Sequence, residues 1–335
     1  MTPVRLAIIG CGAVTELYHL PAARRSDCVR VTALVDSDAA RAEALAKEYH
    51  VPFVLNSIQD VMGRAEAAIV AVPHPLHASL SVELLRHGVH VLVEKPMAVT
   101  TAECNTMIDA AVRAQAVLAV GLVRRYLPSS RWVKQAIDEN LLGRIREFDI
   151  LEGSTYGWPA ASNFYFRKES GGGVLLDTGA HTLDTLLWWL GDWESVDYYD
   201  DALGGVEADC QLRLTLRSGV RGRVELSKTR DLPNVYRLMG ERGVIEVEVS
   251  GLGVSLTFEN GKTVLEGRVS DISIGAATLL DAFRQQLDDF AGAIAEHRPP
   301  FVPGEEGKRA VSLIEACYAA RRPLHFPWMQ FSHTY

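Results

Sequence analysis

The sequence predicts an α/β protein of two domains, in which a doubly wound parallel sheet precedes an α+β domain with an open, largely antiparallel sheet. Its 335 residues exceed the roughly 250 that one hydrophobic core usually fills. The first third alternates short apolar runs with helical patterns, which is typical of parallel strands covered on both faces. From about residue 145 onward, apolar and polar residues alternate, as in half-buried antiparallel strands.

The first domain is predicted to span residues 1–122 and to contain five parallel strands. The predicted strands are Val4 to Ile9, Val29 to Val35, Ala67 to Val72, Val89 to Val93 and Val117 to Val123. Thr100 and Glu103 have the spacing of a capping box before an Ala-rich helix, and Gly88 is expected to close the helix that ends at His87. These helix signals between strands predict a doubly wound arrangement.

The second domain is predicted to span residues 123–335 and to hold its strands in one twisted sheet. These strands are expected at Arg146 to Glu152, Cys210 to Arg217, Val220 to Lys228, Val235 to Val249, Val254 to Phe258 and Thr263 to Arg268. Helical periodicity returns at Ala276 to Glu296 and at Gly304 to Arg321, with Pro299, Pro300 and Pro303 between the two helices. The second of these helices is a candidate to pack back on the first domain.

Composition narrows the functional classes. The 34 basic and 42 acidic side chains give a net charge of −8, and no basic stripe is present, which disfavours nucleic acid as a partner. No apolar run reaches the roughly 18 residues of a membrane span, so we expect a cytoplasmic protein with no membrane partner. The five cysteines are scattered without a CxxC pair and are interpreted as buried or idle thiols.

A glycine turn follows the first strand and opens a helix. Gly10 allows a tight turn, and Gly12 lets the backbone amides approach a pyrophosphate at a helix N-terminus, where Ala13 and Val14 follow. Thr15 stands where a third glycine is expected and should hold helix and strand slightly further apart. This context predicts a dinucleotide-binding Rossmann domain.

Asp36 ends the second strand, near the roughly 20-residue spacing from the glycine turn that a ribose-binding carboxylate shows. A carboxylate accepts hydrogen bonds from both ribose hydroxyls and repels a 2′-phosphate, so Asp36 favours NAD over NADP. The alternative role for Asp36 is to cap the helix over Ala39 to Tyr49, although Ser37 and Asp38 can also do so.

Two later segments carry a family resemblance: Glu94-Lys95-Pro96 after the fourth strand, and the run from Gly171 through Asp177 and His181 to Asp184. With the glycine turn, they resemble the glucose-fructose oxidoreductase, inositol dehydrogenase and rhizopine catabolism family, Gfo/Idh/MocA. The resemblance covers nearly the whole chain. Further matching segments are Ala71 to His77, Arg124 to Pro128 and Phe166-Arg167.

Membership in this family implies a Rossmann domain followed by a substrate domain, with the active site between them. It also implies hydride transfer between the nicotinamide and a secondary alcohol or ketone of a sugar, cyclitol or sugar derivative. By the resemblance Lys95 and His181 are catalytic and also contact substrate, with Asp177 assisting them. The same resemblance assigns Val72, Pro73, His74, His77, Glu94, Lys95 and Arg124 to the cofactor site.

The residue types and their spacing support the same chemistry independently of the family resemblance. Asp177, His181 and Asp184 share one stripe if a helix begins near Asp177. The imidazole of His181, with a reference pKa of about 6.5, suits a general base that removes the hydroxyl proton of the substrate. The Lys95 cation can stabilise the alkoxide that forms. A buried structural Asp177–His181 pair is the alternative, and we leave Asp184 out of the catalytic set. A metal site on these three side chains is disfavoured because no clear further ligand is present.

The cofactor residues have structural alternatives as well. His74 could be an ordinary loop residue and His77 a residue of the first helical turn, while Glu94 could cap a nearby helix.

An aromatic segment between Gly153 and Gly173 is a candidate substrate loop, since aromatic faces stack on sugar rings. Its aromatic residues are Tyr156, Trp158, Phe164, Tyr165 and Phe166. Trp158, together with Tyr126, is predicted to reach substrate, and the other rings are expected to pack in the core or a lid. Arg167 and Lys168 could meet a carboxylate or phosphate, or form salt bridges to Glu169 or near Asp177.

The alternating strands put leucines on one sheet face and a polar set that includes Arg213, Arg221 and Arg223 on the other. In the family this outer face commonly forms dimers or tetramers, so we expect a homodimer or homotetramer, with an exposed monomer sheet as the alternative.

Two other functions remain open: a lyase or glycosidase that oxidises its substrate transiently with NAD, and a non-catalytic dinucleotide sensor. The intact Lys95, Asp177 and His181 argue against the sensor. The substrate's identity, the carbon oxidised and the direction depend on side chains that converge only in the fold.

Overall fold

The computed structural model describes residues 2–159, 167, 172–249, 253–258, 263–268 and 278–324, and the side chains of 263–268 are not described. Phe164, Tyr165, Phe166, Lys168 and Glu169, which the sequence placed in a substrate loop, lie outside the described residues. So do Gly171 and the predicted helix start at Ala276.

The chain forms two compact units. The first takes in the chain up to Arg131, the residues at Trp158 and the segment that ends at Ser312. The second takes in Trp132–Gly157, the strands up to Arg268 and the chain from Leu313 onward. The predicted domain boundary after residue 122 stays a prediction.

The sheet of the first unit is entirely parallel. Its six described strands are β1 (Val4–Ile9), β2 (Val29–Val35), β3 (Phe53–Leu55), β4 (Ala67–Val70), β5 (His90–Glu94) and β6 (Leu118–Gly121). Their order is β3-β2-β1-β4-β5-β6, so the chain reverses direction across the sheet beside β1. In sheets of this kind ligands bind at the carboxyl ends of the strands next to the reversal. The prediction of a doubly wound parallel sheet is confirmed.

Helices connect the strands of the first unit. The described helices are α1 (Leu20–Arg24), α2 (Ala39–Tyr49), α3 (His77–Arg86), α4 (Thr101–Ala114), α5 (Pro128–Asp138), α6 (Val174–Leu190), α7 (Leu279–Glu296) and α8 (Gly304–Ala319). Of these, α6 belongs to the second unit. The predicted capping box is present at α4, where Thr100 accepts from the Glu103 amide at 3.2 Å and Glu103 accepts from the Thr100 amide at 3.1 Å. Within the described chain, no helix is long and apolar enough to cross a membrane.

The second unit is built on one mixed sheet. Its nine described strands are β7 (Ile145–Gly153), β8 (Trp193–Asp200), β9 (Asp209–Leu216), β10 (Arg221–Ser227), β11 (Val235–Gly240), β12 (Gly243–Glu248), β13 (Gly253–Phe258), β14 (Thr263–Arg268) and β15 (Arg321–Pro323). The order is β14-β13-β12-β11-β7-β10-β9-β8-β15. Only the β7–β10 and β8–β15 pairs of these described strands are parallel, so the prediction of a largely antiparallel sheet is confirmed.

Some predicted elements differ in detail. The predicted strand Val235 to Val249 is a hairpin of β11 and β12, because Gly240 and Gly243 flank a turn. β3, β8 and β15 were not predicted. The last helix ends at Ala319, and Arg321 belongs to β15 instead.

Candidate functional site

The turn after β1 requires glycine at its first position. Gly10 has φ 98°, and a Cβ atom there would lie 2.1 Å from the carbonyl oxygen of Ala71 and 3.2 Å from Val72 Cγ1. The turn is therefore pressed against the chain that leaves β4, and any side chain at Gly10 would separate the two.

The second position of the turn faces open space. A Cβ atom at Gly12 would meet no heavy atom within 4 Å, and Gly12, Ala13 and Val14 are all half-buried. The carbonyl of Gly12 accepts from the amides of Thr15 and Glu16, which closes the first helical turn. Amides at a helix start and open space above them suit a bound phosphate.

Thr15 does more than take up the space of the expected glycine. It is fully buried, and its Oγ1 donates to the carbonyl of Gly10 at 2.6 Å. A short π-helical segment, Thr15–His19, begins at this residue and leads into α1. Thr15 therefore fastens the helix to the turn.

Asp36 lies at the end of β2 beside this turn. Its Oδ2 accepts from the Cys11 amide at 2.6 Å, and its Oδ1 accepts from the Asp38 amide at 2.8 Å. The N-cap of α2 is Asp38, which accepts from the Arg41 amide at 3.1 Å. Asp36 is therefore not the cap of α2, and its carboxylate is held at the glycine turn.

Glu94 ends β5 as a buried carboxylate. Its Oε1 lies 2.9 Å from His19 Nε2, and its Oε2 accepts from the Lys95 amide at 3.1 Å. Burial raises the pKa of Glu94, but the hydrogen bond and charge of His19 and the charge of Lys95 outweigh it, so the pKa lies below its usual value. These contacts tie Glu94 to the π-helical segment instead of capping a helix.

His77 links two segments at the carboxyl edge of the sheet. Its ring is fully buried, with Nδ1 2.7 Å from the Pro96 carbonyl oxygen and Nε2 2.8 Å from that of Val72. Burial lowers the pKa of His77 against the two carbonyl contacts, which raise it. A neutral imidazole donates only one hydrogen bond, so one of these two close contacts pairs a lone pair with a carbonyl oxygen.

The other predicted cofactor residues lie along the same edge. Pro73 is exposed, while His74 is 3% exposed and its ring meets the His77 ring edge-on at 5.7 Å. Lys95 is half-buried, and the Lys95–Pro96 peptide bond is cis. Arg124 is half-buried in a short 3-10 helix, Val123–Tyr126, that follows β6.

Tyr126 is packed in the first unit. It is 3% exposed, its hydroxyl donates to Asp289 at 3.1 Å, and Arg131 lies over its ring at 5.3 Å. Burial, followed by the charge of Asp289, raises the pKa of Tyr126. Tyr126 thus has a structural role in this packing, and the substrate contact that the sequence suggested stays a prediction.

Trp158 presents a partly open ring. It is 37% exposed and stacks on Tyr18 with a centroid distance of 6.2 Å and an interplanar angle of 7°. Tyr18 stacks in turn on Phe283 at 4.8 Å. Trp158 is thus held from one side by a stack of rings.

In the second unit, the helix α6 begins at the predicted glycine cluster. Gly173 has φ 117°, and a Cβ atom there would lie 2.3 Å from Glu207 Oε1. Glu207 is 2% exposed and accepts from the Leu175 amide at 3.1 Å and from the Tyr318 hydroxyl at 2.9 Å. The glycine therefore lets the Glu207 carboxyl group approach the start of α6, where burial raises its pKa against the hydrogen bonds from Tyr318 and Leu175, which lower it.

Asp177 and His181 are one turn apart on α6 and are both half-buried on a helix whose other residues are mostly buried. They lie on one stripe of the helix together with Asp184, as the sequence predicted. Asp184 differs from the other two in being only 1% exposed.

Lys228 and Tyr156 complete this cluster. Lys228 Nζ lies 2.6 Å from Asp177 Oδ2, with side-chain exposures of 12% and 15%. The same ammonium lies 5.1 Å from the centroid of the Tyr156 ring. Burial and the charge of Asp177 raise the pKa of Tyr156 to about 12. In the described part of the chain, no group of three or more His, Cys, Asp or Glu side chains could hold a metal ion.

Sequence reasoning missed His19, Lys228 and Glu207. His19 follows the glycine turn by a spacing that signals nothing by itself. Lys228 and Glu207 are distant in sequence from Asp177 and Gly173, which they contact. Only the strand pairing of the second sheet brings them together.

Two family models match the chain. Residues 4–122 match the Gfo/Idh/MocA oxidoreductase family, NAD-binding Rossmann fold, and residues 130–246 match the C-terminal domain of Gfo/Idh/MocA proteins.

Known proteins of similar sequence span the same length. A putative UDP-kanosamine synthase oxidoreductase subunit of Amycolatopsis mediterranei is 27% identical over 95% of this chain and 96% of its own. The rhizopine catabolism protein MocA of Rhizobium meliloti is 26% identical over 94% of each chain. Among solved structures, the WlbA dehydrogenase of Bordetella pertussis, crystallised with NADH and UDP-GlcNAcA, has a TM-score of 0.83 at 23% identity over 95% of each chain. This last likeness concerns the fold.

Proposed function

Since the chain belongs to the Gfo/Idh/MocA oxidoreductase family with its NAD-binding Rossmann fold, we propose that it transfers a hydride between NAD and a secondary alcohol or ketone of a sugar, a cyclitol or a sugar derivative. The observation that carries the proposal is the accessible pair of Asp177 and His181 on an otherwise buried helix, with Lys228 against the carboxylate. The UDP-kanosamine synthase subunit and the rhizopine catabolism protein, whose names refer to sugar or rhizopine chemistry, support this substrate class.

The first unit has the features that a dinucleotide needs. Gly12 has open space where a Cβ would stand, and the helix start after it offers amides to a pyrophosphate. Asp36, fixed by two backbone amides, is the acceptor for the ribose hydroxyls. When bound, NAD supplies the carbon that accepts or returns the hydride. Val72, Pro73, His74 and Arg124 line the same edge and complete the proposed cofactor site.

The cofactor preference follows from Asp36. Its charge repels a 2′-phosphate and favours two hydroxyls. In the Asp36→Asn variant the ratio of the NAD affinity to the NADP affinity should fall, which titration with both cofactors measures. An unchanged ratio would show that another group sets the preference.

His181 moves the proton in this proposal. Its imidazole takes the hydroxyl proton during oxidation and returns it during reduction, a role that a group with an ordinary pKa near about 6.5 fills near neutrality. Lys95 stabilises the alkoxide with its cation, and Asp177 holds the imidazole or a substrate hydroxyl. Trp158, with its partly open ring, is the proposed stacking contact for a sugar ring.

The test is a substrate screen with matched histidine variants. The purified protein is assayed with NAD and NADP against free sugars, inositols, aminocyclitols and nucleotide-activated sugars. His181→Gln should lower kcat by about 100-fold or more. His87→Gln, a change of an exposed histidine after α3, should leave kcat unchanged. Normal turnover in the His181 variant would contradict the proposal.

The same assay distinguishes a dehydrogenase reaction from the alternative lyase or glycosidase reaction. A dehydrogenase forms NADH in proportion to product. An enzyme that oxidises and then re-reduces its substrate consumes substrate without net NADH, and that outcome would assign the transient reaction instead.

The proposal extends to assembly. The outer face of the second sheet carries exposed Arg213 and Arg223 directly opposite each other on β9 and β10, and Arg223 also pairs with Asp149 at 2.7 Å. Like charges placed in this way favour a partner surface with acidic groups. We therefore propose a homodimer or homotetramer through this face. Light scattering should give a multiple of the monomer mass, and a monomer would contradict it.

The cysteines bear on the compartment. All five, each of which the structure describes, are free thiols, and Cys11, Cys104, Cys210 and Cys317 are buried. Free thiols suit a reducing compartment, so a cytoplasmic location is part of the proposal. Cell fractionation tests it.

A further inference from the structure

Lys228 is fixed in the second unit by its backbone. It follows β10, its amide donates to the carbonyl of Ala208 at 2.8 Å, and its carbonyl accepts from the amide of Tyr156 at 3.0 Å. The ends of β7, β9 and β10 thus meet at this residue. Two backbone hydrogen bonds, one to the residue before β9 and one to a residue after β7, therefore hold its backbone in place.

The side chain of Lys228 is directed at the catalytic stripe. Its ammonium lies 2.6 Å from Asp177 Oδ2, and only 12% of the lysine side chain and 15% of the aspartate side chain are exposed. The ring of Tyr156 covers the ammonium at 5.1 Å. A pair that is mostly shielded from water is screened less than a surface pair, so removal of one partner takes a strong interaction away from the other.

Other ionisable groups on the neighbouring elements have partners of their own. Glu152 of β7 accepts from the Thr182 hydroxyl of α6 at 2.5 Å. Asp209, at the start of β9, is paired with Arg230 at 3.2 Å, and Arg230 also binds Glu225 of β10 at 2.7 Å. Among the described residues, the contacts place Lys228 against Asp177, Tyr156 against Lys228 and His181 one turn along α6.

We propose that Lys228 is a positioning residue for the reaction, whose ammonium keeps the Asp177 carboxylate charged and fixed one helical turn before His181. This inference rests on the proposed function, because it acts through Asp177. Lys228 is distinct from Lys95, which belongs to the first unit. The reaction would thus use two lysines, one at the alkoxide and one behind the aspartate.

The pH profile follows from this arrangement. Without the Lys228 cation, Asp177 either takes up a proton more readily or acts more strongly with its negative charge on His181, which then holds its own proton more tightly. Each change moves the acid limb of kcat/KM to higher pH. We expect a shift of about one pH unit or more, in line with the effect of a nearby opposite charge on a carboxyl group.

The experiment compares Lys228→Met and Lys228→Arg with Lys134→Met. Lys134 forms an exposed ion pair with Asp138 on α5, so it is the matched lysine–aspartate control. In Lys228→Met, kcat/KM at neutral pH should fall about 10-fold or more and the acid limb should move upward. Lys228→Arg should recover a large part of the activity because the cation remains, and Lys134→Met should behave as wild type. An unchanged circular dichroism spectrum and an unchanged unfolding temperature show that each variant is folded.

A double-mutant cycle with Asp177→Asn tests whether Lys228 affects kcat/KM through Asp177. If Lys228 acts through Asp177, the double variant Asp177→Asn/Lys228→Met has the same kcat/KM as Asp177→Asn alone. Losses that multiply would overturn the inference, and so would an unchanged pH profile in Lys228→Met. A rise in KM confined to anionic substrates would also overturn it, because Lys228 would then be a direct substrate contact.

This result is separable from the proposed function. If Asp177→Asn and His181→Gln abolish turnover while Lys228→Met remains normal, the inference fails alone. If His181→Gln retains turnover, the proposed function fails first.

Discussion

The imidazole of His19 and the carboxylate of Glu94 lie 2.9 Å apart inside the first unit, with side-chain exposures of 0% and 9%. His19 belongs to the π-helical segment after the glycine turn, and Glu94 immediately precedes Lys95. The pair therefore connects the segment after the glycine turn with the strand end that carries Lys95, the proposed catalytic lysine. π-Helical segments often occur at functional sites, and here the segment brings the imidazole to the carboxylate.

Removal of His19 should destabilise the protein strongly. His19→Ala leaves a buried carboxylate without its partner, which costs about 3–5 kcal/mol. Arg5→Ala breaks the exposed pair with Glu66, whose side chains are 49% and 50% exposed, and should cost about 0–1 kcal/mol. Urea denaturation measures the apparent free energy of unfolding of both variants. Equal, small losses would show that the His19–Glu94 contact contributes little.

The His19–Glu94 pair should make the free energy of unfolding depend on pH in the acid range. The pKa of Glu94 in the folded protein lies below its unfolded value of about 4.3, so the unfolded chain binds this proton more readily. The stabilisation is present above the unfolded pKa and is lost as the pH falls through the folded pKa. Glu94→Gln should therefore show a shallower loss of unfolding free energy below about pH 4 than wild type. An identical slope would contradict the assignment.

The fold could be predicted from the sequence where the pattern is local and strong. β1 and β2 have the predicted bounds because long β-branched runs are unambiguous. β3 was missed because it has three residues and Phe53 is 45% exposed, so no apolar run marks it. β8 was missed because its burial does not alternate regularly. Two consecutive exposed residues, Glu194 and Ser195, lie between half-buried Trp193 and Val196. Its strand pairing, and not its own pattern, makes it a strand.

The candidate site divides in the same way. Gly10, Asp36, Asp177 and His181 were predicted because their residue types and their spacing along the chain fit a known mechanism. Lys228 had no such signal, since its partner Asp177 lies on a helix far away in sequence. Tyr126 was placed near substrate by its motif, but Asp289 and Arg131, from elsewhere in the chain, hold it in the interior. Contacts between segments that are distant along the chain cannot be predicted from the residue spacing in one sequence.

The two glycines of the turn should respond differently to alanine. Gly10→Ala puts a Cβ 2.1 Å from the Ala71 carbonyl oxygen at φ 98°, so both the unfolding temperature and NAD binding should fall. Gly12→Ala meets no atom within 4 Å, so the unfolding temperature should stay at the wild-type value. NAD binding should nevertheless weaken about 10-fold or more, which corresponds to about 1.4 kcal/mol. Calorimetry separates the two effects, and normal NAD binding by the Gly12 variant would remove the turn from the cofactor site.

Gly173 gives the corresponding test in the second unit. Gly173→Ala introduces a Cβ 2.3 Å from Glu207 Oε1 at φ 117°, so the carboxylate must leave the Leu175 amide or the first turn of α6 must shift. Strain of this kind costs about 1–3 kcal/mol. Because Asp177 lies in that first turn, turnover should fall about 10-fold or more while NAD affinity, a property of the first unit, remains unchanged.

The control for Gly173 is Gly157→Ala, whose Cβ would have its nearest contact at 3.9 Å, with the carbonyl oxygen of Thr155. It should keep both turnover and NAD affinity. If Gly173→Ala loses NAD affinity in step with turnover, the damage has spread beyond α6 and the local account fails. If it loses neither, Glu207 can move without disturbing Asp177, and the glycine serves only the backbone conformation. A loss of turnover alone would mean that the position of Asp177 depends on the close approach of Glu207 to the start of its helix.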